Sequence, residues 1–345
     1  MAENTTQIIN DVSKIKDMAD IKDMADIKEI PTFRLAKKTK FWSRVLIFSA
    51  LIFVAFWANN NLKNKLSFDE GFSNNKKSEA IDQSEKFLQK EGQEVYDRFY
   101  CNVYDGLVKD RAKNRFEMDE ILKLAGHPVE NNKLLDIGSG TGHHVADLNK
   151  RGFKAQGIDK SPHMIAKARK NYPRFEYIEG DVTQSMSFPS QDFTHITCLY
   201  FTVYNIKNKT VFFQNCHNWL TPGGILVLHL VDRDKFDPIV NTANPITILN
   251  VQNYSDKRIT NSVVKFKGFT YKANFDQRAG DDVTYFDEHM KDDNSGKIRK
   301  NRHILYMEPK EKILEKAKRV GFSIANQSNM KKCHYDNQYL FFLQK

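Results

Sequence analysis

Three glycines stand close together at Gly138, Gly140 and Gly142, directly after a short apolar run. Glycine tolerates a positive φ and lets a ligand touch the backbone, although it loses more conformational entropy on folding than other residues. A strand that feeds such a turn and then opens a helix presents backbone N–H groups and the positive helix end at the carboxyl edge of a sheet. The stretch 134–145 is therefore predicted to hold a ligand.

Two classes of ligand use this geometry, and the glycine spacing separates them. Dinucleotide-binding domains usually carry GxGxxG, in which the third glycine permits close packing of helix and strand. Here the spacing is GxGxG, and Asp136 precedes it. A carboxylate beside the turn is poorly placed next to a phosphate, because both are anionic. The pattern favours a ligand without phosphate, and a NAD-dependent oxidoreductase is the alternative.

The elements around the turn alternate between strand and helix. The apolar runs LLDIG, KAQGID, FEYIEGD, FTHITCLYF and GILVLHLVD predict strands, with helical segments between them. Such alternation indicates parallel strands joined by right-handed helical crossovers, which is an α/β fold. Beyond Asp232, apolar and polar residues alternate between turns and predict a small antiparallel sheet over about 260–307. One helix and the closing strand QYLFFLQK follow.

The motif DIGSGTG resembles the first motif of class I S-adenosylmethionine-dependent methyltransferases. The resemblance continues in order over residues 133–345: Asp159 closes the second strand in GIDKSPHM, Asp181 follows the third in EGDV, CLYF ends the fourth, and LTPGG precedes the fifth. It implies a Rossmann-like parallel sheet with an antiparallel final strand. It also implies S-adenosylmethionine as the cofactor.

The resemblance assigns roles to residues of this sequence. It implies that Asp159 takes both ribose hydroxyls of the cofactor and that Asp181 accepts from the adenine amino group. Asp136 is expected to orient the turn or to take the cofactor's ammonium through water; plain capping is the alternative for Asp136 and Asp159. The implied cofactor-binding set is Asp136, Gly138, Ser139, Gly140, Gly142, Asp159, Lys160, Met164, Asp181, Val182 and Leu199.

The acceptor of the methyl group is narrowed by motifs that the sequence lacks. No DPPY-like string follows the fourth strand and no Pro-Cys nucleophile occurs, which disfavours methylation of adenine, glutamine or the cytosine ring. The segment CLYFTVYNI and the strand-rich insertion resemble the small-molecule N-methyltransferase branch, which implies an amine acceptor. A protein or lipid-headgroup acceptor, and a non-catalytic membrane adaptor that keeps the fold, are the alternatives.

In that branch the inserted sheet and N-terminal helices cover the acceptor pocket, so residues 81–126 are expected to form a helical lid. By analogy, the lid would contribute Tyr96, Tyr100 and Tyr104 to the cover of that pocket. The acceptor side would carry Tyr204 and the catalytic candidates Tyr200, His229 and His303. For each of these residues ordinary packing is the competing interpretation.

Residues 1–80 are predicted to lie outside the methyltransferase domain. Residues 1–40 form an arm that contains the tandem repeat IKDMAD, and residues 59–80 read as a polar linker. Between them, residues 41–58 carry Arg44 as their only charge and have Trp42 and Trp57 near the ends. This pattern predicts a single transmembrane helix, and a buried core helix is the alternative.

The net charge and the spacing of the cysteines limit the kinds of partner that the chain is expected to have. The net charge of +10 is spread along the chain, so no specific nucleic-acid partner is expected. The four cysteines lack zinc-site spacing and read as reduced thiols. Lys and Arg residues before the predicted span favour a cytoplasmic N-terminus. Because the cofactor is made in the cytosol, we nevertheless expect a membrane protein whose catalytic domain faces the cytosol.

Overall fold

The architecture is built from two β-sheets and the helices that cover them. The computed structural model describes residues 86–125, 129–239, 252, 255, 257–266, 268–278 and 280–345. Its α-helices are α1 (Arg98–Val108), α2 (Arg111–Lys123), α3 (His143–Lys150), α4 (Pro162–Asn171), α5 (Lys209–Trp219) and α6 (Lys310–Val320). Its strands are β1 (Phe87–Glu91), β2 (Lys133–Ile137), β3 (Lys154–Asp159), β4 (Glu176–Glu179), β5 (Phe193–Cys198), β6 (Leu220–Val231), β7 (Asn261–Phe266), β8 (Phe269–Gln277), β9 (Val283–Asp292), β10 (Ile298–Tyr306), β11 (Ser323–Asn329) and β12 (Gln338–Gln344).

The larger sheet has the strand order β11-β12-β6-β5-β2-β3-β4. Strands β2 to β6 pair in parallel, whereas β12 runs antiparallel to both β6 and β11. Since β2 lies in the middle, its carboxyl end meets those of β3 and β5 at one edge. The predicted Rossmann-like sheet with an antiparallel final strand is confirmed.

Two apolar layers hold helices against the two faces of this sheet. One layer packs α5 and α6 on the sheet through residues such as Phe212, Trp219 and Ile313. The other packs α2, α3 and α4 through residues such as Ile121 and Leu148. These side chains are almost fully buried, so the sheet that carries the glycine turn is covered on both sides.

The smaller sheet has the order β1-β10-β9-β8-β7. Strands β7 to β10 pair antiparallel, as the sequence predicts, and β1 adds in parallel to β10. Helix α1 packs on this sheet through Phe99, Tyr100 and Val103, which contact Tyr271 and Met290. The α1 part of the lid therefore lies against the inserted sheet.

One sequence prediction needs correction here. Residues 87–91 form a strand inside the lid that the sequence predicts as helical over 81–126, because pairing with β10 satisfies their backbone. Within the predicted antiparallel sheet, the chain turns back at Gly268, with φ of 80°, between β7 and β8.

The predicted arm 1–40, transmembrane helix 41–58 and linker 59–80 lie outside the described residues. Within the described residues, no helix has both the length and the apolar character that a membrane crossing requires.

Candidate functional site

The glycine turn adopts the conformation that its composition predicts. Gly138, Gly140 and Gly142 have φ of 69°, 52° and 88°, which is the left-handed region that glycine alone adopts without strain. The N–H groups of Gly138 and Ser139 donate to the carbonyl of Ile158, at 2.8 and 3.0 Å. These bonds fasten the turn to the neighbouring strand β3.

Close packing also excludes side chains from the turn. A Cβ atom at Gly138 would lie 2.4 Å from Cγ2 of Thr202, which is far inside van der Waals contact. In strand β3, a Cβ atom at Gly157 would lie 2.6 Å from Ser139. Gly157 was not singled out from the sequence, although a glycine inside a strand often marks a close backbone approach.

A cavity of about 650 Å³ opens at the carboxyl edge of the larger sheet, within the range of roughly 300–1,000 Å³ that small-molecule sites occupy. The glycine turn, the ends of β3 and β5, the lid helix α1 and the inserted sheet all line it. From the predicted cofactor set, the lining residues are Gly138, Gly140, Asp159, Lys160, Met164, Asp181 and Val182. The three lid tyrosines Tyr96, Tyr100 and Tyr104 also line this cavity.

Asp159 lies at the end of β3 with its carboxylate held in place by the backbone. Its Oδ2 accepts from the N–H of Gly140 at 2.9 Å, and its Oδ1 accepts from the N–H of Ser161 at 2.8 Å. Burial raises the pKa of Asp159, and the backbone donors oppose that shift. Each oxygen keeps a lone pair free of these bonds, so the carboxylate can accept two further hydrogen bonds from a diol.

Asp181 follows β4 and lies beside Lys160. Its Oδ1 accepts from the N–H and the hydroxyl of Thr183, and its Oδ2 lies 2.9 Å from Nζ of Lys160. Although burial acts to raise it, the Lys160 and Thr183 donors hold the pKa of Asp181 below its usual value. The group is thus an ionised acceptor at the rim.

Asp136 faces a second, smaller cavity of about 70 Å³ beside the glycine turn. This side chain is 2% exposed. Its Oδ1 accepts from the hydroxyl of Thr197 at 2.7 Å, and its Oδ2 has no hydrogen-bond partner among the described residues. Burial raises the pKa of Asp136 to about 6. Ser139 and Leu199 line the same small cavity.

These groups fit the cofactor that the resemblance implies. S-adenosylmethionine carries a ribose diol, an adenine amino group and an ammonium group. With the cofactor bound, Asp159 and Asp181 would be the acceptors for the first two groups, and the unpartnered Oδ2 of Asp136 would be the acceptor for the third. Within the described residues, Gly142 is the only member of the predicted set that lines neither cavity; it precedes α3 as its N-cap.

Tyr200 stands just beyond the end of β5 in a strained conformation. Its φ is 52°, which a non-glycine residue adopts at a cost. The carbonyl of Tyr200 accepts from Nδ1 of His229 at 2.6 Å, and Nζ of Lys113 lies 5.0 Å from the centre of its ring. Tyr200 lines both cavities, and its place on the acceptor side stays a prediction.

Two of the predicted acceptor-side residues lie in the core. His229 is 0% exposed and lines neither cavity; burial lowers its pKa to about 4, so its imidazole is neutral and supports Tyr200 from behind. Tyr204 is also fully buried, and its hydroxyl accepts from the N–H of Val231 at 2.8 Å. Both residues were expected at the acceptor, and the structure places them behind the cavity wall.

His303 does line the large cavity, together with a residue that the sequence analysis missed. The Nε2 atom of His303 lies 2.8 Å from Oε2 of Glu288, and both side chains line the cavity. Glu288 is almost completely buried, at 1% exposure. The signal in the sequence was a carboxylate at an apolar phase of an alternating strand, between Phe286 and Met290.

Comparison with known proteins agrees with this geometry. Residues 134–224 match a family described as a methyltransferase domain. The demethylmenaquinone methyltransferase of Chlorobaculum tepidum is 39% identical over 93 residues, which are 27% of this chain and 38% of that protein. The chain thus spans well under two thirds of the length of this relative.

Solved methyltransferases share the fold. The CcbJ methyltransferase from Streptomyces caelestis superposes with a TM-score of 0.54 at 13% identity, over 71% of this chain and 95% of its own. The amino pentose methyltransferase CalS10 from Micromonospora echinaspora, solved with S-adenosylmethionine bound, superposes with a TM-score of 0.50 at 22% identity, over 72% and 97%. The family match and the rim geometry agree with S-adenosylmethionine, the cofactor that the sequence resemblance implies. Residues 134–224 therefore match a methyltransferase family, and the chain shares the fold of solved methyltransferases.

Proposed function

We propose that the chain transfers a methyl group from S-adenosylmethionine to a small-molecule acceptor. One observation carries this proposal: a single cavity is lined both by the cofactor acceptors Asp159 and Asp181 and by the wall that holds Glu288 and His303. Donor and acceptor would therefore meet inside one enclosed space.

Methyl transfer mainly requires that the acceptor, the methyl group and the sulfur be held in line. When bound, S-adenosylmethionine supplies a methyl group on a sulfonium, which is already activated for displacement. Holding two reactants in line can contribute roughly 7–11 kcal/mol at best. In this proposal the glycine turn, Asp159 and Asp181 fix the donor, and Tyr200 and the lid tyrosines enclose the reacting atoms and exclude water.

We further propose that the acceptor is an amine. Three carboxylates of the described residues line the cavity, Asp159, Asp181 and Glu288, against two ammonium groups, Lys160 and Lys207. Lys160 is already paired with Asp181. The remaining wall is rich in aromatic rings from α1, the segment after β5 and the inserted sheet, and aromatic faces attract cations. An acceptor with a positive charge suits this lining.

The acceptor assay uses the full-length chain, a cell extract and S-adenosylmethionine labelled on its methyl group. Label in a small molecule, as N-methyl by mass spectrometry, is the expected result, and the Asp159→Ala variant should incorporate none. Label on oxygen or carbon would refute the amine assignment and leave the methyltransferase proposal in place. Absence of donor binding by the wild-type chain would refute both.

We also propose that residues 41–58 anchor the chain in a membrane with the catalytic domain in the cytosol. Support comes from an apolar run interrupted only by Arg44 and flanked by Trp42 and Trp57. Alkaline extraction of membranes should leave the full chain in the pellet and release a variant that lacks 41–58. Protease added to sealed membranes should digest residues 86–345; their protection would contradict the cytosolic orientation.

A further inference from the structure

A buried polar cluster lies on the inner face of the smaller sheet, where apolar side chains are expected. On β9 the inward positions include Glu288, and on β10 they include Asn301 and His303, all at 5% exposure or less. Glu288 pairs with Asn301 across the strands, and its other neighbour is Ala273 on β8. The small Ala273 side chain leaves room beside the carboxylate.

The carboxylate of Glu288 is fully engaged. Its Oε1 accepts from the hydroxyl of Tyr271 at 2.7 Å, and its Oε2 accepts from Asn301 at 3.1 Å and from His303 at 2.8 Å. Burial acts to raise its pKa, but the hydrogen bonds and the charge interaction with His303 hold the pKa of Glu288 below its usual value. Glu288 is therefore a buried, ionised carboxylate.

This arrangement selects one tautomer of His303. An ionised carboxylate can only accept hydrogen bonds, so Nε2 of His303 must carry a proton. In the neutral ring, Nδ1 is then the nitrogen with a free lone pair. Among the described residues, no protein group hydrogen-bonds to Nδ1. His303 lines the large cavity, and this lone pair is the one that an acceptor in that cavity could use.

We propose that His303 is the general base of the methyl transfer and that Glu288 is the residue that positions it, an inference that rests on the proposed methyltransferase function. A proton passes from the acceptor's ammonium to Nδ1 of His303. The freed nitrogen lone pair forms the N–C bond while the C–S bond breaks, and the bonding electrons stay on sulfur. The resulting imidazolium faces Glu288 and later releases its proton to water.

The surroundings of His303 suit a ring that becomes charged. Tyr96, Tyr100 and Phe286 lie 5.7, 5.5 and 5.6 Å from it between ring centres, and the hydroxyl of Tyr100 lies 3.4 Å from Nε2. Burial raises the pKa of Tyr100, which therefore stays a neutral phenol.

The guanidinium of Arg299 lies nearby but does not compete with His303 for the carboxylate of Glu288. Arg299 lies on the same strand as His303, but it donates to Asp97 and Asn301 at 2.8 Å each. Tyr271, on β8, has a raised pKa because of burial and the Glu288 charge. Glu288 is thus the charged group that His303 contacts, and an imidazolium here would be stabilised by it.

Nitrogen NMR of the full-length chain tests this arrangement directly. Histidine is labelled with nitrogen-15, the protein is loaded with S-adenosylhomocysteine, and the His303 signals are assigned by their loss in His303→Gln. We expect the Nε2–H tautomer in the wild type. In Glu288→Gln the carboxylate is replaced by an amide that can donate as well as accept, so the His303 signals should show a mixture of the two tautomers. The control is Asp287→Asn, which removes the adjacent carboxylate that pairs with Arg302, and should leave His303 unchanged.

The labelled-methyl assay on cell extract supplies the second readout. His303→Gln should lower incorporation about 100-fold or more, while calorimetry gives a Kd for S-adenosylhomocysteine within about twofold of wild type, because His303 lies at the acceptor end. An Nδ1–H tautomer in the wild type, an unchanged His303 tautomer in Glu288→Gln, or full incorporation by His303→Gln would each overturn this inference. Loss of S-adenosylhomocysteine binding in the wild type itself would instead overturn the proposed function.

Discussion

The two ends of the large cavity are assembled in different ways. At the cofactor end, Gly140 and Asp159 are 19 positions apart in the chain, and backbone N–H groups hold the carboxylate. At the acceptor end, Tyr100 and His303 meet although 203 positions separate them in the chain. The first end is a local motif on a rigid sheet, and the second is a meeting of the lid with the inserted sheet.

This difference explains why the two ends should respond differently to substitution. The cofactor end rests on backbone geometry and on a few carboxylates, so single changes there remove discrete interactions. The acceptor end rests on side chains from α1, β9 and β10, so its specificity can change while the cofactor end stays intact. Four substitutions test whether the cofactor end depends on interactions between residues that are close in the sequence.

The largest expected effect comes from Asp159→Ala. The variant loses the two acceptor oxygens for the ribose hydroxyls, and each hydrogen bond to a charged group contributes about 1.5–3 kcal/mol. Calorimetry should show the Kd for S-adenosylmethionine weakened by at least about 100-fold. Asp192→Ala is the control, because Asp192 pairs with Lys133 at the opposite edge of the sheet. Unchanged affinity in Asp159→Ala would show that the local motif does not hold the sugar.

Gly138→Ala should be next in size. Its Cβ atom would meet Thr202 at 2.4 Å and would sit at a φ of 69°, and overpacking and left-handed strain together cost about 2–5 kcal/mol. Denaturant unfolding should show that loss, together with weaker donor binding. Gly280→Ala separates the two causes, because Gly280 has a φ of 80° with nothing within 4 Å. Equal losses in both variants would mean that the close approach to Thr202 is unimportant.

Asp136→Asn should have a smaller effect that depends on pH. The folded-state pKa of Asp136 is raised from 3.8 to about 6, so its contribution to stability is full below the unfolded pKa and is lost as pH rises through about 6. The free energy of unfolding of the variant should therefore exceed that of the wild type by on the order of 3 kcal/mol at about pH 8. Near pH 3 the two free energies should be equal.

The Asp136→Asn measurement is the difference in unfolding free energy between variant and wild type at the two pH values. The amide oxygen of the substituted side chain would still accept from Thr197, so that hydrogen bond is not in question. Donor affinity should fall, because the ammonium loses its anionic partner. A variant that is less stable than the wild type at the higher pH would show that Asp136 serves the fold rather than the ligand.

Lys160→Ala should have the smallest effect. Its side chain is 59% exposed, and the ion pair with Asp181 at 2.9 Å is screened by solvent, so the expected loss of stability is about 0.5 kcal/mol or less. Donor affinity should change by less than about threefold. Thermal unfolding and calorimetry check both values, and a loss as large as that in Gly138→Ala would show that the rim depends on this surface pair.

The cofactor end was largely predictable because its signals are local. The positive φ values of Gly138 and Gly140 follow from the glycines themselves, and Asp159 follows from its place at a strand end. The acceptor end was less predictable. His303 and Tyr200 were named, but Glu288 was not, because its role depends on its pairing with Asn301 across strands.

Tertiary contacts explain the remaining departures. The segment Phe87–Glu91 contains good helix formers, yet it pairs with β10 as a strand, since tertiary context overrides propensity. His229 and Tyr204 carry polar groups that could face a ligand, but each satisfies a backbone partner inside the core instead. The sequence pattern indicates that such groups lie near the edge of the sheet. It does not determine whether their side chains face the cavity or the core.

The most direct test of the cofactor assignment is a crystal structure of the chain with S-adenosylhomocysteine. We expect the ribose hydroxyls on the carboxylate of Asp159, the adenine beside Asp181, and the amino acid tail along the glycine turn. A nucleoside bound elsewhere, or a dinucleotide pyrophosphate on the turn, would contradict it.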